Sequence, residues 1–293
     1  MPAIVTNDLQ PPQLIPSVPS SEGWQGELAL RYDHAQGQTR LQRSHHRSPL
    51  KVQRPFYPEG PAVCHTVMLH TAGGIVGGDR LQIQLDLQPQ AQVLLTTAAA
   101  SKLYRSDGPL AQQQVTATLA PQARLEWFPQ ESIAFRGARY QGQMRVELAA
   151  GATFTGWEIT RFGRTARGER FDAGDWRSQL EVWQEGSLQW SDRQWLPGNK
   201  SVIESPHGLG GTAIGGTLVW LGEPITPSQV AAIRELPRPT MGETGITTTQ
   251  GEGLLCRYRG SSTSEARGWF MQVWQYLRQQ QWGRDPVRLR IWG

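Results

Sequence analysis

One pattern limits the folds open to this chain more than any other. Leu85-x-Leu87-x-Pro89-x-Ala91-x-Val93-x-Leu95 recurs as Ala117-x-Leu119-x-Pro121-x-Ala123-x-Leu125-x-Trp127, and again as Val146-x-Leu148-x-Ala150-x-Ala152-x-Phe154. The alanines at 91, 123 and 152 lie 32 and 29 residues apart. Each copy reads as strand, tight connection, small residue, strand, so one structural unit recurs. Such units stack into a layered, helical-like β architecture in which each layer covers its neighbour's apolar face. The expected fold class is therefore mainly β, with many strands.

The flanking sequence agrees. Arg80–Leu87 alternates strictly between apolar and polar residues, as a half-buried strand does. Leu28–Tyr32 and Arg40–His45 read as strands around a Gln36-Gly37 turn, and Ala62–Leu69 as an apolar strand. Gln179–Trp190 reads as a hairpin about Glu185-Gly186, and Leu254–Tyr258 as a late strand. Two helices are expected, both in the C-terminal third. Thr226-Pro227-Ser228-Gln229 carries an N-cap, a proline at the first helical position and a capping-box glutamine. Ser262-x-x-Glu265 precedes Trp269, Phe270, Val273, Trp274 and Leu277 at the spacing of one apolar helix face. Residues 1–21 contain five prolines and no periodicity, and read as a flexible N-terminal arm before a single β-rich domain over 22–293.

The strand ending near Leu69 runs into Gly73-Gly74-Ile75-Val76-Gly77-Gly78-Asp79-Arg80. A phosphate-binding P-loop would end in Gly-Lys-Ser/Thr, and a dinucleotide fingerprint needs glycines at i, i+2 and i+5 before a helix. Neither fits, and a strand follows. The loop serves something other than a nucleotide, and Asp79 after four glycines is expected where backbone crowds and water enters, or in a local turn bond.

Charge and cysteine content narrow the classes further. Arginine plus lysine is 29 against 25 acids, and lysine occurs only at 51, 102 and 200. Residues 257–293 hold seven arginines and two acids, and this basic end is expected to face a protein partner rather than nucleic acid. Cys64 and Cys256 are too far apart for a metal motif or a disulfide framework. No apolar run has membrane-spanning length, and a reduced, cytoplasmic protein is expected. No nucleophile–base set can be named among the serines and the six histidines, so the chain is expected to be non-catalytic. A non-catalytic β-solenoid module that binds protein or polysaccharide through some of its twelve tryptophans is a second reading.

Several polar residues stand out. Cys64, His65 and His70, with Asp79, form a loose thiolate, imidazole and carboxylate set that suits nickel or zinc. Against that, Cys64 reads equally as a small apolar residue and His70 as a hydrogen-bonded core histidine. Glu158 lies between Trp157 and Ile159, where a carboxylate is costly unless paired or hydrated. It is expected either to pair with Arg161, Arg164 or Arg167 or to line a wet cavity. Asp192 invites a similar reading, with an exposed ion pair as the plain alternative.

Six blocks in order carry a resemblance. They are Val52-Gln53-Arg54-Pro55-Phe56-Tyr57-Pro58-Glu59, Gly73–Asp79, Ser101-Lys102-Leu103-Tyr104-Arg105-Ser106, Leu125-Glu126-Trp127-Phe128-Pro129-Gln130-Glu131, Gly163-Arg164 with Gly168-Glu169, and Trp274-Gln275-Tyr276-Leu277-Arg278 before Arg290-Ile291-Trp292. From about Trp24 onward the chain resembles the UreD/UreH family of urease accessory proteins. It departs at Thr71-Ala72, where the family often has Pro-Pro, and at Arg80, where some members carry a second acid. The resemblance implies a non-enzymatic maturation factor with a helical-like β fold. It implies UreF, the GTPase UreG and apo-urease as partners, and Ni2+ as transient cargo with no tightly bound cofactor. It further implies an internal water-filled tunnel whose polar residues would be Asp79, Ser101, Glu158 and Asp192, with the Gly73, Gly74, Gly77 and Gly78 loop at its mouth.

Overall fold

The computed structural model describes residues 23–249, 253–285, 287 and 289–292; the expected N-terminal arm lies outside them. A hairpin comes first, β1 (Gln25–Ala35) and β2 (Gln38–Arg47), turning at Gln36 and Gly37. β3 (Leu50–Val52) and β4 (Val63–His70) lead into three successive coils. The first holds β5 (Arg80–Leu87), β6 (Gln92–Thr97) and β7 (Ser101–Leu103), and the second β8 (Ala111–Leu119), β9 (Arg124–Phe128) and β10 (Ser132–Ala134). The third holds β11 (Arg139–Leu148) and β12 (Thr153–Phe162), after which β13 (Asp175–Gln184) and β14 (Ser187–Pro197) form a hairpin. Then come α1 (Lys200–Glu204), β15 (Ile214–Leu221), α2 (Pro227–Arg234), β16 (Gly242–Thr248), β17 (Gly253–Gly260) and α3 (Thr263–Trp282).

Coiling distributes these strands between two sheets. The first runs β14-β13-β11-β8-β5-β1-β2, with β13, β11, β8, β5 and β1 mutually parallel. The second runs β16-β17-β15-β12-β9-β6-β4-β3, parallel from β12 to β4. A short third face joins β7, β10 and the end of β12, also in parallel. This is the stacked solenoid that the repeat predicted.

The repeated alanines mark the corner of each coil. Gln90, Gln122 and Gly151 adopt left-handed φ values of 64°, 61° and 67°. The next residue in each case, Ala91, Ala123 or Ala152, closes the turn by donating its N–H to the carbonyl of Gln88, Ala120 or Ala149, each at 3.0 Å. Each alanine is buried, because the next coil stacks directly on it and leaves room for one methyl group. Gln90 and Gln122 also pair through their side-chain amides at 3.2 Å.

Period-2 alternation then builds two cores. Inward residues of both sheets, among them Leu85, Ala117, Leu125, Trp127, Val146 and Phe154, fill the space between them. Outward residues of the second sheet, including Leu94, Phe128, Trp157 and Trp220, pack under α2 and α3 with Trp269, Phe270, Trp274 and Trp292. The capping box at Thr226 forms as predicted. At α3, Ser262 accepts the Glu265 N–H, but the Glu265 carboxylate turns to Thr240 Oγ1 and Met241 N at 2.9 and 2.8 Å instead of closing a reciprocal box. The one-turn α1, capped by Asn199, was not expected.

Four arginines of the basic C-terminal stretch have partners within the chain. Arg257 meets Asp192, Arg259 meets Glu243, Arg267 meets Glu131, and Arg278 meets Glu59 and Glu126. One face of helix α3 is buried.

Candidate functional site

Between the two sheets the apolar filling is incomplete. A cavity of about 270 Å³ runs from the glycine loop to the last coil. Its middle coils contribute Leu81, Ile83, Val115, Trp127, Met144 and Phe154 together with the polar Gln113, Ser132 and Gln143, and further polar groups stand at its two ends.

At the first end the lining includes His70, Gly73, Gly74, Ala98, Ala99, Ser101 and Lys102. Gly73, Ala98, Ala99 and Lys102 are surface-exposed, so the cavity opens there. The loop can pass so close only without side chains. A Cβ at Gly74 would overlap Tyr104 and the Lys102 carbonyl, and one at Gly77 would overlap Ser106 and the Pro109 carbonyl. Ile75 bridges to the third face by exchanging backbone hydrogen bonds with Lys102 and Tyr104 at 2.7 and 2.8 Å. His70 donates Nδ1–H to the Ala72 carbonyl at 3.1 Å, which leaves Nε2 as the lone-pair nitrogen of the neutral ring. That atom is buried and has no partner among the described residues.

Asp79 does not face water. It is fully buried and is not among the cavity-lining residues. Its two carboxylate oxygens accept the backbone N–H groups of Trp24 and Val76, each at 2.9 Å. The carboxylate therefore staples the glycine loop and ties it to the start of β1, which is the turn-bond alternative in an enlarged form.

At the second end stand Glu158 on β12, Ser178 on β13, Asp192 on β14 and Thr217 on β15. Glu158 does not pair with Arg161, Arg164 or Arg167. Arg164 is held by Glu169, and Arg161 donates to Thr165 and Thr263. Glu158 points the other way, into the cavity, and accepts the Ser178 hydroxyl at 2.6 Å. Burial pushes its carboxyl up to about 7; the Ser178 hydrogen bond opposes this, the Asp192 charge adds to it, and Arg257 opposes it. Asp192 is ion-paired to Arg257 at 2.6 Å and accepts Gln194 Nε2 at 2.7 Å.

Cys64 and His65 are successive residues of β4 and so face opposite sides of the sheet. Cys64 lies in the core between the sheets, where burial pushes its thiol up. His65 lies beneath α3 and meets Glu59 Oε1 at 2.6 Å. The expected thiolate and imidazole set is therefore not assembled. Among the described residues no three of His, Cys, Asp and Glu come together as a metal-holding group.

A second polar cluster escaped the sequence reading. Arg278 of α3 is 1% exposed and meets Glu59 Oε2 at 2.7 Å and Glu126 Oε1 at 2.9 Å. Trp274 Nε1–H donates to Glu126 Oε1 at 2.6 Å. Burial would raise the Glu59 carboxyl, but hydrogen bonds from His65 and Arg278 outweigh it and hold the group below its ordinary range. The available signal was Glu126 itself, a carboxylate between Leu125 and Trp127 in an apolar strand.

Fold and cavity together define a parallel β-solenoid with a polar-ended interior that opens at a glycine-rich rim. The chain belongs to the UreD family of urease accessory proteins: the family model described as UreD urease accessory protein matches residues 25–293. It is 56% identical over 271 residues to the urease accessory protein UreD of a Nostoc species, covering 92% of this chain and 96% of that one. The UreD of Trichormus variabilis gives the same identity and coverage. That of Thermosynechococcus vestitus is 47% identical over 273 residues, covering 92% and 98%. This membership assigns the chain a role in urease maturation. Among the described residues no helix is long and apolar enough to cross a membrane.

Proposed function

We propose that this chain is a non-catalytic, cytoplasmic nickel-insertion chaperone. It scaffolds UreF and the GTPase UreG on apo-urease and conducts Ni2+ through its interior cavity to the urease active site. The observation that carries this reading is the placement of imidazole, hydroxyl and carboxylate groups toward both ends of one interior cavity. His70 Nε2 and Ser101 stand at the open mouth, and Glu158, Ser178 and Asp192 at the other end. A divalent cation entering a low-dielectric interior faces a desolvation barrier of several kcal/mol. Spaced single donors lower that barrier without trapping the ion. Imidazole suits nickel, and Cys64, the strongest soft donor nearby, is not among the cavity-lining residues. Asp79 shapes the mouth and does not touch the ion.

The test is Glu158→Ala or Asp192→Ala in cells producing urease. Nickel content and activity of urease should fall at least severalfold while UreF still co-purifies with the chain. Unchanged nickel content with the accessory complex intact would sink the conduit. Because a protonated Glu158 is a poor cation ligand, transfer should also weaken as pH falls below about 7.

A further inference from the structure

The two ends of the cavity are built differently. The mouth at the glycine loop is framed by backbone. At the other end no hydrogen-bonded ladder joins the sheets among the described residues: β14, the edge of the first sheet, pairs with β13, and β17 lies within the second sheet between β15 and β16. Side chains alone close the gap. Arg257 of β17 donates Nη2–H to Asp192 of β14 at 2.6 Å and Nη1–H to Thr217 of β15 at 2.6 Å. Gln194 of β14 adds Nε2–H bonds to Asp192 at 2.7 Å and Thr217 at 3.1 Å. Asp192 and Thr217 line the cavity, whereas Arg257, which holds both, does not. The Arg257 side chain is 40% exposed against 13% for Asp192, so the guanidinium stands between the cavity and solvent.

We infer that the Asp192–Arg257 pair is a latch that closes this end of the cavity, and that its opening is the step that admits or releases a divalent cation there. This rests on the conduit reading above. An arginine cannot leave by losing its proton, so the latch opens by motion, and the exposed side chain has solvent to swing into. A divalent ion at Asp192 then replaces one cation by another, so the carboxylate regains a counter-charge once the ion is bound. The fully buried Arg278 could not act in this way, since it is 1% exposed and enclosed by Glu59 and Glu126.

Two cysteine reporters test it in the full chain, Ser178→Cys at the closed end and Ser101→Cys at the mouth, labelled with a small cationic thiol reagent. Cys64 and Cys256 are buried, and the chain without a reporter supplies the background rate. The closed-end reporter should react at least tenfold more slowly than the mouth reporter. Arg257→Gln should remove most of that difference, and Arg257→Lys, which keeps a cation, should preserve most of it. If Arg257→Gln does not fold, Asp192→Asn breaks the same pair from the other sheet and should have the same effect. Equal rates for the two reporters in the parent, or a closed-end rate indifferent to these substitutions, would overturn the latch. Urease plays no part in this readout. Failure of the conduit would appear instead as unchanged urease nickel in the Glu158 and Asp192 variants, whatever the labelling shows.

Discussion

Glu126 and Glu158 lie in the same sheet, on strands paired in parallel, each between two large apolar neighbours. They face opposite sides of that sheet. Glu126 looks outward under α3, where Arg278 and the Trp274 indole meet it. Glu158 looks inward onto the cavity, where a single hydroxyl meets it. Both lose water, but only one has a full counter-charge in contact. Burial raises both carboxyls above their ordinary value: at Glu126 the Arg278 charge and the Trp274 hydrogen bond oppose it, while Glu158, with one hydroxyl in contact, is pushed up to about 7. The difference lies in what packs on each face: a helix completes one environment, and an unfilled interior leaves the other incomplete.

The same substitution at both positions gives the largest separation. Glu126→Gln leaves Arg278 short of a buried counter-charge and should cost about 3–5 kcal/mol in urea unfolding. Glu158→Gln should act in the opposite direction. The folded carboxyl titrates at about 7 against an ordinary 4.5, so between these values the folded state holds one proton more than the unfolded state. Stability of the parent must therefore fall as pH rises through that window, by roughly 3 kcal/mol in total. Unfolding measured at pH 4.5 and pH 8 should show the variant equal to the parent at the lower pH and more stable at the higher. A variant as pH-sensitive as the parent would contradict the contrast between the two glutamates. Trp274→Phe keeps the ring and removes the donor to Glu126, and should cost about 2 kcal/mol by the same assay. The smallest effect belongs to a largely exposed pair. Arg105 and Asp107 are 69% and 82% exposed, and Arg105→Ala should change stability by less than about 1 kcal/mol, an amount further reduced by salt.

How much was legible follows from how far each cause lies along the chain. Strands, corners and the Thr226 cap are set by residues within a few positions, and the Ala91, Ala123 and Ala152 repeat carried the solenoid. The local half of the Asp79 turn, its bond from the Val76 N–H, is legible in the sequence, but its second donor, the Trp24 N–H, comes from 55 residues away. Glu126 went unnoticed because Arg278 lies 152 positions downstream. Glu158 was singled out correctly for its costly setting, yet its partner came from the neighbouring sheet rather than from the nearby arginines. The sequence marks a buried carboxylate readily; it does not say which side of the strand will be filled.

The left-handed corners at Gln90, Gln122 and Gly151 have one more consequence. Each permits one circuit of the chain and adds one rung to both sheets, so the number of corners acts as a ruler for the interior. Copying residues 92–123 in tandem would insert a whole circuit and lengthen the cavity by one strand spacing, about 4.8 Å. Its two ends would move apart without a change in the chemistry of either.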